Sequence, residues 1–276
     1  MEAVTVRVPA STSNLGPGFD CLGVALRIYN EVTVRHAKRR HASAMIERAA
    51  DAFFARAEIA SIPFSVAIRG DVPMSRGLGS SVTVRLGVMH GLNHLLGRPL
   101  DRETVFQLCA ELEGHPDNAA PAEFGGFNVI RGLQRQRFTV AAKLKFVLLV
   151  PNFEVSTEKA RALLPNEIDR RSAVESCGNA CAITAAFASG EYKNLRGALA
   201  DGLHQPFRKL VVPLFDEVVR RAEEAGALGA FLSGSGSTVA ALTLRSAEKI
   251  ARAMREAAPN ARTTITTADN RGAHMR

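Results

Sequence analysis

The spacing of apolar positions divides the chain into a mixture of strands and helices. Val4, Val6 and Val8 alternate with polar neighbours, as do Val32 and Val34, which predicts two early strands with one buried face each. A helix is predicted over 42–57, a strand over Phe64 to Arg69, and a helix over Ser80 to Leu96. Asp101 is a good N-cap for a further helix over Arg102 to Glu113. Phe124 to Ile130 and Lys145 to Val150 read as strands, and Ser156 caps a helix over 157–164 that Pro165 closes off. Helices are expected over 172–188, 195–203 and 214–225. Residues 229–242 give strand, glycine-serine turn and strand, followed by a helix over 247–257 and a strand over 263–267. The elements mix without regular βαβ alternation, so the fold class is α+β. A division near residue 150 gives units of 1–150 and 151–276.

The turn between the third strand and its helix reads Pro73-Met74-Ser75-Arg76-Gly77-Leu78-Gly79-Ser80-Ser81. Two glycines one residue apart let the backbone turn tightly with N–H groups facing inward. Two serines then open a helix, whose unpaired N–H groups and positive dipole end favour an anion. These features describe a phosphate cradle. It is not the common lysine-bearing loop, since no lysine lies between Lys38 and Lys143, and Val82 occupies the third-glycine position of a dinucleotide fingerprint. The competing reading is a plain turn with Ser80 or Ser81 as N-cap. Two further stretches, 9–20 and 232–238, share the glycine- and serine-rich character, and 113–121 reads as another polar loop.

Composition narrows the partners. The chain has 276 residues, 46% hydrophobic and 22% charged, typical of a globular protein. No apolar run is long enough to span a bilayer, and the N-terminus lacks the layout of a signal peptide, so a cytoplasmic location is expected. The net charge is +8, but it is dispersed, and without Trp and with two Tyr there is little to stack bases, so neither nucleic acid nor membrane is an expected partner. The dense run Arg35 to His41 reads as a solvated loop. Cys21, Cys109, Cys177 and Cys181 make no ligand cluster; the last two share a helical face and are expected to be buried thiols.

The three glycine-serine loops, in this order and over almost the whole chain, resemble the motifs of the GHMP kinase superfamily. Ser13-Asn14-Leu15-Gly16-Pro17-Gly18-Phe19-Asp20, Glu113-Gly114-His115-Pro116-Asp117-Asn118, Ser156-Thr157-Glu158-Lys159-Ala160-Arg161 and His204-Gln205-Pro206-Phe207-Arg208 are similar to the homoserine kinase branch of it. Val82 departs from the alanine usual after the serine pair. The resemblance implies a two-layer α+β fold, with an N-terminal domain like domain 2 of ribosomal protein S5 and a C-terminal ferredoxin-like plait. It implies ATP held by Pro73 and Arg76 to Ser81, and Mg²⁺ held by Ser81 with Glu113, or with Glu111 in second place. L-homoserine is the implied substrate, with Arg161 and Arg208 on its carboxylate. Asp20 is a partner for its ammonium, and Asn14 and Asn118 for its polar groups. Asp117 is the nearest carboxylate for a general base, although homoserine kinases place an asparagine in that neighbourhood, which makes Asn118 the other catalytic candidate. Another small-molecule kinase of this scaffold, such as a mevalonate type, and a non-catalytic nucleotide- or nucleic-acid-binding protein are the alternatives; a homodimer is left open.

Overall fold

The computed structural model describes residues 3–40 and 42–276. Its first half is built on a long antiparallel pair, β1 (Ala3–Asn14) and β2 (Gly18–His36), joined by a turn at 15–17. Val4, Val6, Val8, Val32 and Val34 all turn to one face, as their alternation requires, and are buried there. That face packs on α1 (Ala44–Ala57), α2 (Ser80–Leu95) and α3 (Arg102–Glu113). β3 (Phe64–Gly70) also pairs with β2, and α4 (Ala119–Phe124) leads into the hairpin β4 (Phe127–Arg131) and β5 (Gln134–Phe138).

The second sheet contains β6 (Lys145–Val150), β7 (Gly229–Leu232), β8 (Val239–Thr243) and β9 (Arg262–Thr267) in the order β7-β8-β6-β9. Between β6 and β7 run α5 (Thr157–Ala162), α6 (Arg170–Ser189), the short α7 (Gln205–Arg208) and α8 (Phe215–Glu224). With α9 (Ala247–Ala257) between β8 and β9, strand order and connectivity are those of a ferredoxin-like plait. Its two amphipathic helices bury Phe215, Val218 and Ala222, and Ile250, Ala251 and Met254, on the sheet. Leu22, Val24 and Phe127 from the first sheet, Phe146, Leu148 and Phe231 from the second, and Phe187 of α6 form a third cluster that joins the halves. The last strand, β10 (His274–Met275), returns to pair with β1. The α+β reading holds, with both sheets antiparallel in every pair.

Several local expectations are corrected. The predicted loop 9–20 is mostly strand: Ser11, Thr12 and Ser13 are fully buried, and their hydroxyls, which suggest turns in isolation, are satisfied by partners far along the chain. Residues 119–124 form a helix rather than loop and strand; Pro121 is tolerated because it lies in the first turn. The expected helix over 195–203 does not form. Gly197 takes φ +80°, and the Asp201 carboxylate accepts the N–H groups of Leu203, His204 and Gln205 at 2.6, 3.0 and 2.7 Å, starting the short α7 instead. Cys177 and Cys181 do lie on α6, but on its exposed face. In the basic run, Arg40 binds Ser61 and pairs with Asp51, while His41 lies outside the described residues. Among the described residues, no helix is long and apolar enough to cross a membrane.

Candidate active site

A cleft of about 340 Å³ opens where the three glycine-serine loops meet. The loop before α2 carries Gly77 at φ +72° and Gly79 at φ +66°. Gly79 itself, not Ser80 or Ser81, is the N-cap of α2, and no side chain caps that end. The first N–H groups of the helix are therefore free to meet an anion in the cleft. Glycine is required sterically as well. A Cβ at Gly79 would stand 2.3 Å from Ser11 Oγ, and one at Gly77 would stand 2.0 Å from the Ser233 carbonyl oxygen.

The third loop ties the other two together. Ser233 Oγ donates to the Gly77 carbonyl at 2.6 Å, Thr238 N–H to that of Arg76 at 3.2 Å, and Gly234 N–H to that of Ser13 at 3.2 Å. Asn14 Nδ2 donates to the Gly234 carbonyl at 3.0 Å. Of the seven residues expected to hold ATP, Arg76, Gly77, Gly79, Ser80 and Ser81 line the cleft. Arg76 turns its guanidinium onto the carbonyls of Pro151 and Asn152, at 3.0 and 2.9 Å, which fixes the loop rather than reaching inward. Pro73 and Leu78 do not line the cleft: Leu78 is buried in the core, and both border a different pocket on the other side of the loop.

The two candidate metal carboxylates differ sharply. Ser81 Oγ donates to Glu113 Oε2 at 3.0 Å, and the Glu113 side chain is 12% exposed at the cleft wall. Glu111 points away, 49% exposed and paired with Arg56 at 2.8 Å. Glu113 Oε1 is buried and ion-paired with Arg85 Nη1 at 3.0 Å, but among the described residues it accepts no aligned hydrogen bond. An oxygen-only pair with a buried carboxylate oxygen of this kind fits a hard cation such as Mg²⁺.

The inner end of the cleft combines two signs of charge. Arg161 Nη2 lies 2.7 Å from Asp20 Oδ1, and the guanidinium groups of Arg161 and Arg208 stand 5.3 and 4.9 Å from the Phe19 ring. Arg208 is only 2% exposed and donates to the Gly234 carbonyl at 3.1 Å. Burial, and then the nearby Arg161 charge, lower its pKa to about 10, so it remains cationic at neutral pH. Asn14, at φ +71°, accepts the Asp20 N–H at 3.1 Å. Asn118 is held from both ends: its Oδ1 accepts from Ser11 Oγ and its Nδ2 donates to Ser13 Oγ, each at 2.9 Å. Asp117 is 2% exposed, with His115 Nδ1 at 2.6 Å. Burial alone would raise the Asp117 pKa, but His115, Ser13 and the Asn118 N–H outweigh it and hold the carboxyl below its ordinary range. Asp20, His115 and Asp117 bring one polar atom each within 4.8 Å of one another.

The cleft thus gathers every expected substrate and metal residue except Glu111. Nothing in the sequence analysis marks Ser11, Ser13 or His115 as an individual site residue. The serine-rich text was the signal for the first two, but their role appears only once β1 lies beside α4.

The chain matches the model of the GHMP kinases N terminal domain over residues 44–126 and that of GHMP kinases C terminal over 183–260. It is 38% identical to the homoserine kinase of Caldicellulosiruptor bescii, over 98% of this chain and 96% of that one. It is 42% identical to the homoserine kinase of Deinococcus radiodurans, over 85% and 82%. The crystal structure of homoserine kinase from Cytophaga hutchinsonii superposes with a TM-score of 0.91 at 26% identity, covering 100% of this chain and 98% of that one.

Proposed function

The chain belongs to the homoserine kinase family of the GHMP kinases, and we propose from its cleft that it transfers the terminal phosphoryl group of ATP to the side-chain hydroxyl of L-homoserine, giving O-phospho-L-homoserine. The observation that carries this reading is the juxtaposition of the uncapped α2 N-terminus with a pocket bearing both Arg161 and Arg208 and the Asp20 carboxylate. A substrate with carboxylate, ammonium and hydroxyl matches that arrangement. Mevalonate has no ammonium for Asp20, and a sugar has no carboxylate for the arginines.

In this reading the N–H groups of residues 79–81 receive the ATP phosphates, and Met45 and Met74 at the cleft rim offer apolar surface to the base. Ser81 and Glu113 hold Mg²⁺, which when bound neutralises charge on the phosphates. Arg208, fixed by backbone carbonyls in a dry pocket, donates its fork to the α-carboxylate, and Arg161 assists. Asp20 receives the α-ammonium. Asn118, locked between two serine hydroxyls, orients the substrate hydroxyl toward the phosphate. Asp117 is already engaged by His115, so its role is to hold that corner in place and to favour the ammonium electrostatically. Phosphoryl transfer through a loose transition state does not require the hydroxyl to be ionised beforehand. We also propose that the division into an ATP-binding unit and a second unit falls ahead of β6 rather than after it at the expected residue 150, because β6 pairs with β8 and β9 of the second sheet.

Arg208→Ala tests the substrate half of the reading. Loss of a charge-assisted partner in a desolvated site costs about 2–5 kcal/mol, tens- to thousands-fold in kcat/KM. Steady-state kinetics are expected to show that loss for homoserine with KM for ATP nearly unchanged, and homoserine lactone is expected to be a poor substrate of the unaltered enzyme. Equal loss of ATP binding in a folded variant would mean that Arg208 serves the loops rather than the substrate.

A further inference from the structure

Behind the phosphate loop lies a second pocket, of about 730 Å³, that takes no part in the chemistry above. Strand alternation builds it. Val6 and Val8 turn into the core, so Arg7 between them faces the opposite side of the sheet. The register sets Arg7 beside Glu31 of β2 and Glu31 beside Arg69 of β3. Arg27 from β2 and Arg262 from β9 complete the wall, while Pro73 and Leu78 close the side toward the phosphate loop.

Four arginines therefore share one concave surface with two carboxylates, Glu31 and Asp71. Glu31 is already engaged by Arg276 at 2.5 Å. Among the described residues, none of the four arginines forms a salt bridge, whereas many other arginines of the chain do. Among the described residues Arg7 Nε is buried without a hydrogen-bond partner, and its guanidinium lies 3.8 Å over the Tyr29 ring, which fixes it in place. The contrast with another basic surface of the chain is direct. There Arg102 and Arg135 pair with Glu123 and Glu103 at 2.6 Å each, and Arg137 donates to the Phe124 carbonyl.

Four clustered guanidinium forks outnumber the two carboxylates beside them, match the paired oxygens of a phosphate group, and would have their mutual repulsion relieved by a bound anion. We propose that this pocket is a binding site for a small phosphate-bearing metabolite, separate from the ATP cleft and backed onto its phosphate loop. A nucleic acid fits less well. The surface is a pocket between two sheets rather than a stripe, and its one aromatic ring is already covered by Arg7.

The test is calorimetric titration of the full chain with pyrophosphate while a non-hydrolysable ATP analogue and excess Mg²⁺ saturate the cleft. One equivalent is expected to bind. The double substitution Arg69→Gln/Arg262→Gln changes two exposed side chains and is expected to weaken that binding tenfold or more, leaving turnover with ATP and homoserine unchanged. Arg7→Gln is expected to weaken it independently. The proposal is overturned if pyrophosphate binding disappears once the analogue fills the cleft, or if it persists unchanged in the arginine variants. It is equally overturned if a DNA duplex binds through these arginines while pyrophosphate does not.

Discussion

Replacing Gly79 by valine tests the phosphate cradle at its tightest point. The residue sits at φ +66°, where a β-branched side chain is strained by about 1–3 kcal/mol. Its Cβ would also come within 2.3 Å of Ser11 Oγ, a fully buried atom that itself supports Asn118. Either Ser11 or the start of α2 must move. A shift there misaligns the N–H groups that receive phosphate oxygens, and each hydrogen bond to a charged group is worth about 1.5–3 kcal/mol. Losing two gives about 3–6 kcal/mol, or roughly a 10²- to 10⁴-fold rise in Kd for ATP. The strain is small against a domain stability of about 5–15 kcal/mol, so the variant is expected to fold. Gly97→Ala supplies the control, because Gly97 also has a positive φ, +80°, but nothing within 4 Å of its would-be Cβ. It is expected to lose about 1 kcal/mol of stability with ATP affinity intact. Calorimetric titration with ATP and Mg²⁺, alongside thermal melts, reads both quantities. A folded Gly79→Val protein that binds ATP like the unaltered chain refutes the cradle.

Two further outcomes follow from the same geometry. Turnover is expected to require Mg²⁺ or Mn²⁺, and Ser81→Ala and Glu113→Gln to lose it by orders of magnitude while Glu111→Gln, on the far side, does not. Kinetics at saturating metal decide this, and full activity of both Ser81→Ala and Glu113→Gln removes the metal site. Away from the cleft, buried Glu123 meets His90 Nε2 at 2.7 Å and Arg102 Nε at 2.6 Å. Burial alone would raise its pKa, but these partners hold it below the ordinary range. Its contribution to stability is therefore complete above about pH 4.3, the unfolded value, and is lost as pH falls through the lower folded value. Glu123→Gln is expected to destabilise by about 1.5–3 kcal/mol at neutral pH and to flatten the acid limb of melts taken between pH 3 and 7; an unchanged acid limb contradicts the pairing.

How much was legible beforehand depended on whether the deciding contact was local. The glycine turn before α2 was readable because its chemistry is confined to nine consecutive residues, and the spacing of Glu113 from Ser81 needed only the resemblance to bring it in. Alternation at Val4, Val6 and Val8 likewise fixed one face of β1. The strand character of 10–14 was hidden, since Ser11, Thr12 and Ser13 favour turns until hydroxyl partners more than a hundred residues away satisfy them. Arg208 is assigned by the resemblance alone, because no local pattern shows that α7 buries it against Phe19 and the Gly234 carbonyl. The exposure of Cys177 and Cys181 was misread because spacing tells which residues share a face, not which face is covered.

The identity of the phosphoryl acceptor decides what the cleft does. The decisive measurement is a coupled assay of ADP release with L-homoserine, mevalonate and a panel of sugars and amino acids, the product being identified by mass spectrometry and phosphorus NMR. The predicted result is rapid ATP- and Mg²⁺-dependent formation of O-phospho-L-homoserine, with the other acceptors at least a hundredfold slower in kcat/KM, about 2.7 kcal/mol of discrimination. Faster phosphorylation of mevalonate or a sugar, or no turnover of homoserine by folded protein that binds ATP, would contradict it.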